Sequence, residues 1–383
     1  MEEKDPTRQP VAEWLKSVLG KLKQNLHLAI IISLTSLFAT ITVAIWNNYK
    51  MDLRHERARE VQEVQRDRDR LERIFESGKR SGRNLEEKGK YDEAVKAFQQ
   101  AQRDVTRAAM PESWATLQRL QGSALVNHAL ASKGPMRVRL LDEAVKALED
   151  ALVVHTPHTF PEGWADTQQW LGRAWVVQAE AGSGSSREAL LDQAVHALRN
   201  AAQTYTDYSR DWANAQSWLG RAWVNQAQAS QGQARENLLG QAVQALRQAA
   251  ETYTDRSADW AATQSWLGRA WVNQAEAGEP TDGNNLPVRA ERALTRALEV
   301  YTRDEFPQDW ATVQFWLGRA LLQQAGAVND LAAEERARLL GQAEQSFRKA
   351  LDIRTRRDWP DQHAEIQERL TEILRLLGEG EGT

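Results

Sequence analysis

Hydrophobic and polar positions follow three regimes along this chain. In the first, Val11, Trp14, Leu15, Val18, Leu19, Leu22 and Leu26 share one helical stripe while Lys16, Lys21 and Lys23 lie off it. That pattern predicts an amphipathic helix over residues 1–25 lying at a membrane interface. Leu26 to Trp46 then contains no Asp, Glu, Lys or Arg, a run of about 20 residues that is long enough to span a bilayer. Trp46 and Tyr49 are placed for the far interface. A cleaved signal peptide or a buried core helix would carry a similar run. The length of this one, and the lack of a small-x-small site after it, favour a transmembrane helix over 26–46. Residues 47–73 form the second regime, dense in mixed charge with Arg-Asp-Arg-Asp-Arg at 66–70 and few apolar positions. They predict a solvated helical stalk.

The third regime is a repeat. Trp260-Ala-Ala-Thr-Gln-Ser-Trp266-Leu-Gly268-Arg269-Ala-Trp271-Val-Asn273-Gln274-Ala275 nearly copies the stretch that begins at Trp212. Related blocks begin at Trp114, Trp164, Trp310 and, in vestige, Trp359. After each complete block comes a second signature, as in Ala194, Leu198, Ala201 and in Ala242, Leu246, Ala249. Both halves have apolar residues at helical spacing, so each unit is a helical hairpin. The chain is expected to be all-α: an array over 74–377 of six hairpins, starting near 74, 111, 161, 209, 257 and 307, and a capping helix. The cap face is polar, with Glu365, Gln367, Glu368, Arg369 and Glu372, and residues 378–383 are expected to be a disordered tail. Gly/Ser- and Pro/Asn-rich connectors at 181–186 and 278–285 are expected to be mobile edges.

Gly89-Lys-Tyr91-Asp-Glu-Ala94-Val-Lys-Ala-Phe98-Gln-Gln-Ala101, with Gly82 before it, resembles the tetratricopeptide (TPR) pattern of Gly, Tyr, Ala, Phe and Ala at set offsets. The later units keep Leu-Gly and the Ala, Leu, Ala triplet but exceed the usual 34 or so residues. The wording Tyr301-Thr-Arg…Phe306-Pro307-Gln-Asp-Trp310 is similar to the long TPR variety of bacterial signalling proteins, often found beside CHAT peptidases or NTPase modules. The resemblance covers about residues 75–377. It implies a right-handed α-solenoid, a protein partner such as a protease or NTPase of a bacterial signalling system, and a cytoplasmic array at the inner membrane. The charges flanking the span are close to balance on its two sides and do not set an orientation. Nor does the Lys and Asn constellation of the chaperone-binding TPR members occur here.

Of fifteen tryptophans, ten fall into two classes on a helical wheel. Trp164/Trp175, Trp212/Trp223 and Trp260/Trp271 fall beside Leu171, Leu219 and Leu267 and face the partner helix as core. Trp170, Trp218, Trp266 and Trp316 lie about 120° away. In the TPR register they flank the groove, with Arg173, Arg221, Arg269 and Arg319 three residues later and Asn225, Asn273 and Gln323 one turn beyond. Such ladders can stack on side chains, clamp carboxylates and hydrogen-bond an extended backbone. The alternative is internal packing, each Trp against the next hairpin and each Arg covering it while pairing with an acid such as Asp166.

Charge is almost balanced, with 49 basic and 53 acidic residues, which argues against a nucleic-acid partner held by a basic surface. Cysteine is absent. Disulfides, thiolate zinc sites and a cysteine nucleophile are therefore excluded, so the chain is not itself a caspase-like peptidase. No His-Glu-x-x-His, Gly-x-Ser-x-Gly or phosphate-cradling loop occurs. The closest histidine pair, His155 and His158, has no nearby thiolate or acidic third ligand. The expectation is no enzyme, cofactor or metal, but a membrane-anchored TPR scaffold that recruits a protein partner. The alternative is a self-assembling structural or membrane-effector protein, a homo-oligomer whose arrays cluster the transmembrane helices.

Overall fold

A computed structural model describes residues 9–182, 184–278, 285–327, 332–357 and 359–380. Among them lie thirteen helices. The chain divides into two compact units at Arg73/Ile74. In the first, one helix, α1 (Gln9–Glu87), covers the amphipathic stretch, the apolar run and the charged stretch without interruption before ending in the second unit. The apolar side chains of the run are exposed, Phe38 at 74%. Every threonine in the run turns its hydroxyl inward: Thr35 donates to Ile31 O, Thr40 to Ser36 O and Thr42 to Phe38 O. By length and composition α1 is the one helix among the described residues able to cross a membrane.

The second unit is a succession of hairpins. The end of α1 pairs with α2 (Tyr91–Gln102). There follow α3 (Pro111–Ala131) with α4 (Gly134–Leu152), α5 (Pro161–Ala181) with α6 (Ser185–Thr204), and α7 (Arg210–Ala227) with α8 (Gly232–Thr252). The series closes with α9 (Ala258–Ala277) and α10 (Leu286–Ala297), α11 (Pro307–Ala327) and α12 (Ala333–Leu351), and the cap α13 (Pro360–Gly380). Proline opens α3, α5 and α11, where a missing N–H breaks no helical bond. Ser209 and Ser257 instead cap α7 and α9, accepting from Trp212 N and Trp260 N. The helical repeat and the hairpin starts match the sequence periodicity.

One glycine position fixes how the two helices of each hairpin meet. A Cβ on Gly122, Gly172, Gly220 or Gly268 would stand 2.4–2.5 Å from Leu148, Leu198, Leu246 or Leu294 Cγ. At Gly82 and Gly318 the opposing side chain is Phe98 or Phe347. All six of these partners are fully buried. The Leu-Gly signature thus records close helix crossing, with a large knob from the second helix resting on bare backbone of the first.

First helices of successive hairpins touch one another directly, α3 with α5, α5 with α7, α7 with α9 and α9 with α11. They form the inner layer, and the second helices form the outer one. The coil brings distant edges together: Lys133 Nζ, at the turn between α3 and α4, lies 4.4 Å from the ring centroid of Trp359, just before the cap. Two boundaries differ from expectation. The cap helix runs on to Gly380, so a tail beginning at 378 is too long, and Glu381–Thr383 lie outside the described residues. The connector at 181–186 is shorter than expected because α6 resumes at Ser185. Ser183 and most of 278–285 are not among the described residues.

Candidate functional site

The eight ladder residues join into a single stack on the inner layer. The guanidinium carbon of Arg173 lies 4.0 Å from the Trp170 ring centroid and 4.7 Å from that of Trp218. Arg221 lies 4.4 Å from Trp218 and 4.9 Å from Trp266. Arg269 lies 4.3 Å from Trp266 and 4.9 Å from Trp316, and Arg319 closes the series 4.4 Å from Trp316. Trp and Arg therefore alternate through four hairpins, each cation held between two π faces or over one. The register explains this. Arg follows Trp by three residues and projects from the same face, and the next hairpin supplies the second ring one repeat later. Trp316 is buried, whereas Trp170, Trp218 and Trp266 keep part of their surface in solvent.

The internal-packing alternative accounts for half of this ladder. Arg221 donates to Glu180 Oε1 through Nε at 2.8 Å, and Asn225 Nδ2 donates to the same oxygen at 3.0 Å. Burial opposes ionisation of Glu180, yet the charge and hydrogen bonds of Arg221, with Asn225, hold its carboxyl below the ordinary range. Arg319 is ion-paired with Glu276, which also accepts from Gln323 Nε2 at 3.1 Å. Arg173 and Arg269 differ: each has a buried Nε without a hydrogen-bond partner, and no carboxylate lies within ion-pairing distance among the described residues. Burial pulls both to about 10, so both remain cationic at neutral pH. Asn273, expected beside Arg269, is itself buried.

Asp166 is not the ladder's acid. It pairs with Arg119 at 3.4 Å and accepts from Tyr205 Oη at 2.9 Å. Tyr205 belongs to a column that the repeat pattern also contains. His155, Tyr205, Tyr253 and Tyr301 occupy one position at the exit of successive second helices. Tyr253 donates to Asn214 Oδ1 at 2.7 Å and Tyr301 to Ala258 O at 3.1 Å. His155 fills the same slot, fully buried, its Nδ1 3.3 Å from Thr167 Oγ1 and its ring against Gly163. Burial, with Arg119 nearby, lowers it to about 4, and Asp166 only partly offsets this. A recurring aromatic one residue before Thr or Ser, as in Tyr205-Thr206 and Tyr301-Thr302, was the available signal.

Fold and site together define a helical-repeat protein with a cation–π stack along its inner layer. No family model matches the chain, and no curated protein matches it. Among solved structures it is similar to the S. pombe nuclear import adaptor Nro1. In one crystal form the identity is 12%, the TM-score 0.42, and the match covers 75% of this chain and 94% of that one. In another the identity is 13%, the TM-score 0.41, with 80% and 96% covered.

Proposed function

We propose that this chain is a membrane-anchored, TPR-like right-handed scaffold, without catalysis of its own, that recruits a protein partner along its inner surface. The stack from Trp170 to Arg319 carries this reading. It offers partly exposed indoles and guanidiniums at repeat spacing, already held in position, so little side-chain entropy is lost when a partner docks. Trp and Arg are also the residue types that dominate binding hot spots. The anchor is α1: its apolar run is exposed, its threonine hydroxyls are satisfied within the helix, and Lys50 covers Trp46 at 5.1 Å at the run's end. Tethering would raise the partner's local concentration at the bilayer.

Capture from gently solubilised membranes tests the proposal. Intact chain is compared with a Trp218→Ala, Trp266→Ala, Arg221→Ala, Arg269→Ala variant shown by circular dichroism to remain helical. One protein held by the intact chain and lost by the variant supports recruitment. Capture of nothing but further copies by both would turn the assignment to self-assembly of the repeat arrays, with clustering of the α1 helices, and size in detergent would then exceed a monomer.

A further inference from the structure

Gln228, the C-cap residue just after α7, holds the register position of Glu180 in α5 and Glu276 in α9, each sixteen residues after the opening Trp of its block. Around each glutamate the same three donors converge. One is an arginine near the start of the preceding second helix: Arg137 Nη2 lies 3.8 Å from Glu180 Oε2, and Arg235 Nη2 lies 4.0 Å from Glu276 Oε2. Another is the ladder arginine of the next hairpin, Arg221 or Arg319. The third is the amide one turn beyond it, Asn225 or Gln323.

At Gln228 all three donors recur without a carboxylate to receive them. Arg187 is the counterpart of Arg137 and Arg235, Arg269 that of Arg221 and Arg319, and Asn273 that of Asn225 and Gln323. Arg187 Nη2 settles for the amide oxygen of Gln228 at 2.8 Å and for Asn225 O at 3.4 Å. The charges that act most strongly on Arg269 include one acid, Glu180, and three guanidiniums, Arg221, Arg319 and Arg187. Glu180 is already engaged by Arg221. Gln228 is exposed and neutral and, among the described residues, holds Arg187 alone, at a register position that elsewhere in this chain carries a carboxylate twice. The other unpaired guanidinium is different, since Leu130 and Val177 occupy the acid and amide positions around Arg173.

We propose that Arg187, Arg269 and Asn273 form a pocket for a glutamate side chain of a polypeptide partner, seated where Glu180 and Glu276 seat themselves in the neighbouring hairpins. The inference rests on the recruitment reading and specifies the chemistry of what is recruited. A glutamate matches because the internal occupants are glutamates, and guanidinium with amide donors gives charge-assisted bonds to carboxylate oxygens.

The test uses the full chain in detergent and a fluorescein-labelled, end-capped peptide of alternating Glu and Ser, read by anisotropy. Controls are the Gln/Ser counterpart and a Ser peptide with a free terminal carboxylate. The wild type binds the Glu peptide about tenfold or more tighter than either control. Gln228→Glu fills the pocket from within, so the peptide weakens about tenfold or more while the melting temperature holds or rises. Arg269→Gln weakens it too, whereas Gln228→Ala, which releases Arg187 and opens the seat, does not weaken it. Wild-type affinity in Gln228→Glu, equal affinity for the Gln peptide, preference for the free terminus, or no binding by any form would each overturn the pocket. A partner captured by wild type and Gln228→Glu alike, yet lost from Trp218→Ala, Trp266→Ala, would sink the pocket and leave recruitment standing. Selective peptide binding without any captured partner would do the reverse.

Discussion

Glu180 Oε1 lies 2.8 Å from Arg221 Nε across the seam between two hairpins, and Arg137 approaches the other carboxylate oxygen from a third. One acid therefore ties three consecutive units. Glu180→Gln leaves two partly buried guanidiniums facing each other and is expected to cost on the order of 2 kcal/mol in a denaturant titration. Because the folded-state carboxyl is held below its ordinary value, its contribution is present above the unfolded-state pKa and disappears as pH falls below it. Wild type and variant should converge under acid conditions.

Glu86 at the end of α1 behaves oppositely. Burial raises its carboxyl to about 7 despite Asn127, Arg83, Arg119 and Ser123. A raised acid favours the protonated folded state, so stability is highest below the unfolded value near 4.5 and declines as pH rises to about 7. Glu86→Gln should remove that decline and gain on the order of 1–2 kcal/mol at pH values above the window, after discounting for partial exposure. Thermal melts across the range read both effects, and an unchanged slope in the variant would refute the assignment.

His155 acts in the same direction as Glu180. With its pKa lowered to about 4 from 6.5, the neutral ring is the folded form. Its contribution is complete above 6.5 and is lost as pH falls toward 4. His155→Tyr restores the residue of the later hairpins but meets Gly163, whose Cα hydrogens already face the imidazole. The expected result is a flatter acid limb with no gain at neutral pH, seen in the same melts.

Gly220→Ala would place a methyl 2.4 Å from Leu246 Cγ and is expected to cost about 1–3 kcal/mol. Shrinking the knob should relieve the clash, so Gly220→Ala with Leu246→Ala should fall short of the sum of the single losses. Additive losses would mean the helices separate rather than collide.

Trp218 is gripped by Arg173 and Arg221 at 4.7 and 4.4 Å. Trp218→Ala is expected to cost about 2–3 kcal/mol, below a fully buried indole because the ring is partly exposed. In a double-mutant cycle with Arg221→Ala, a coupling of about 0.5–1 kcal/mol should appear. Trp218→Phe, which keeps a π face, should recover much of it.

Helices and hairpin starts were legible because burial imposes a 3.6-residue period and repetition multiplies the signal; of the six tryptophans expected in the core, Trp212 and Trp260 are buried and Trp164, Trp175, Trp223 and Trp271 are half-buried. That the second class would stack with arginine was legible as one of two options, since Trp and Arg three residues apart share a helix face whichever partner they meet. Which acid serves Arg221 was not. Asp166 lies near Arg173 on the wheel of α5, but the acid that meets Arg221 is Glu180, from the far end of the preceding first helix, a distance set by hairpin tilt and not by register. The role of the Tyr205, Tyr253 and Tyr301 column is not set by the helical period, because it lies outside both helical signatures, at a helix exit.

Lys133 reaching Trp359 has a consequence for how many units the array can hold. Neighbouring hairpins are related by a small rotation and translation, so the meeting of these two residues depends on the number of steps between them. Removing or inserting one hairpin would carry the indole past the ammonium or leave it short. Arrays of near-identical segments such as those at Trp212 and Trp260 readily gain or lose copies by recombination. The contact between Lys133 and Trp359 is therefore expected only at this count of hairpins.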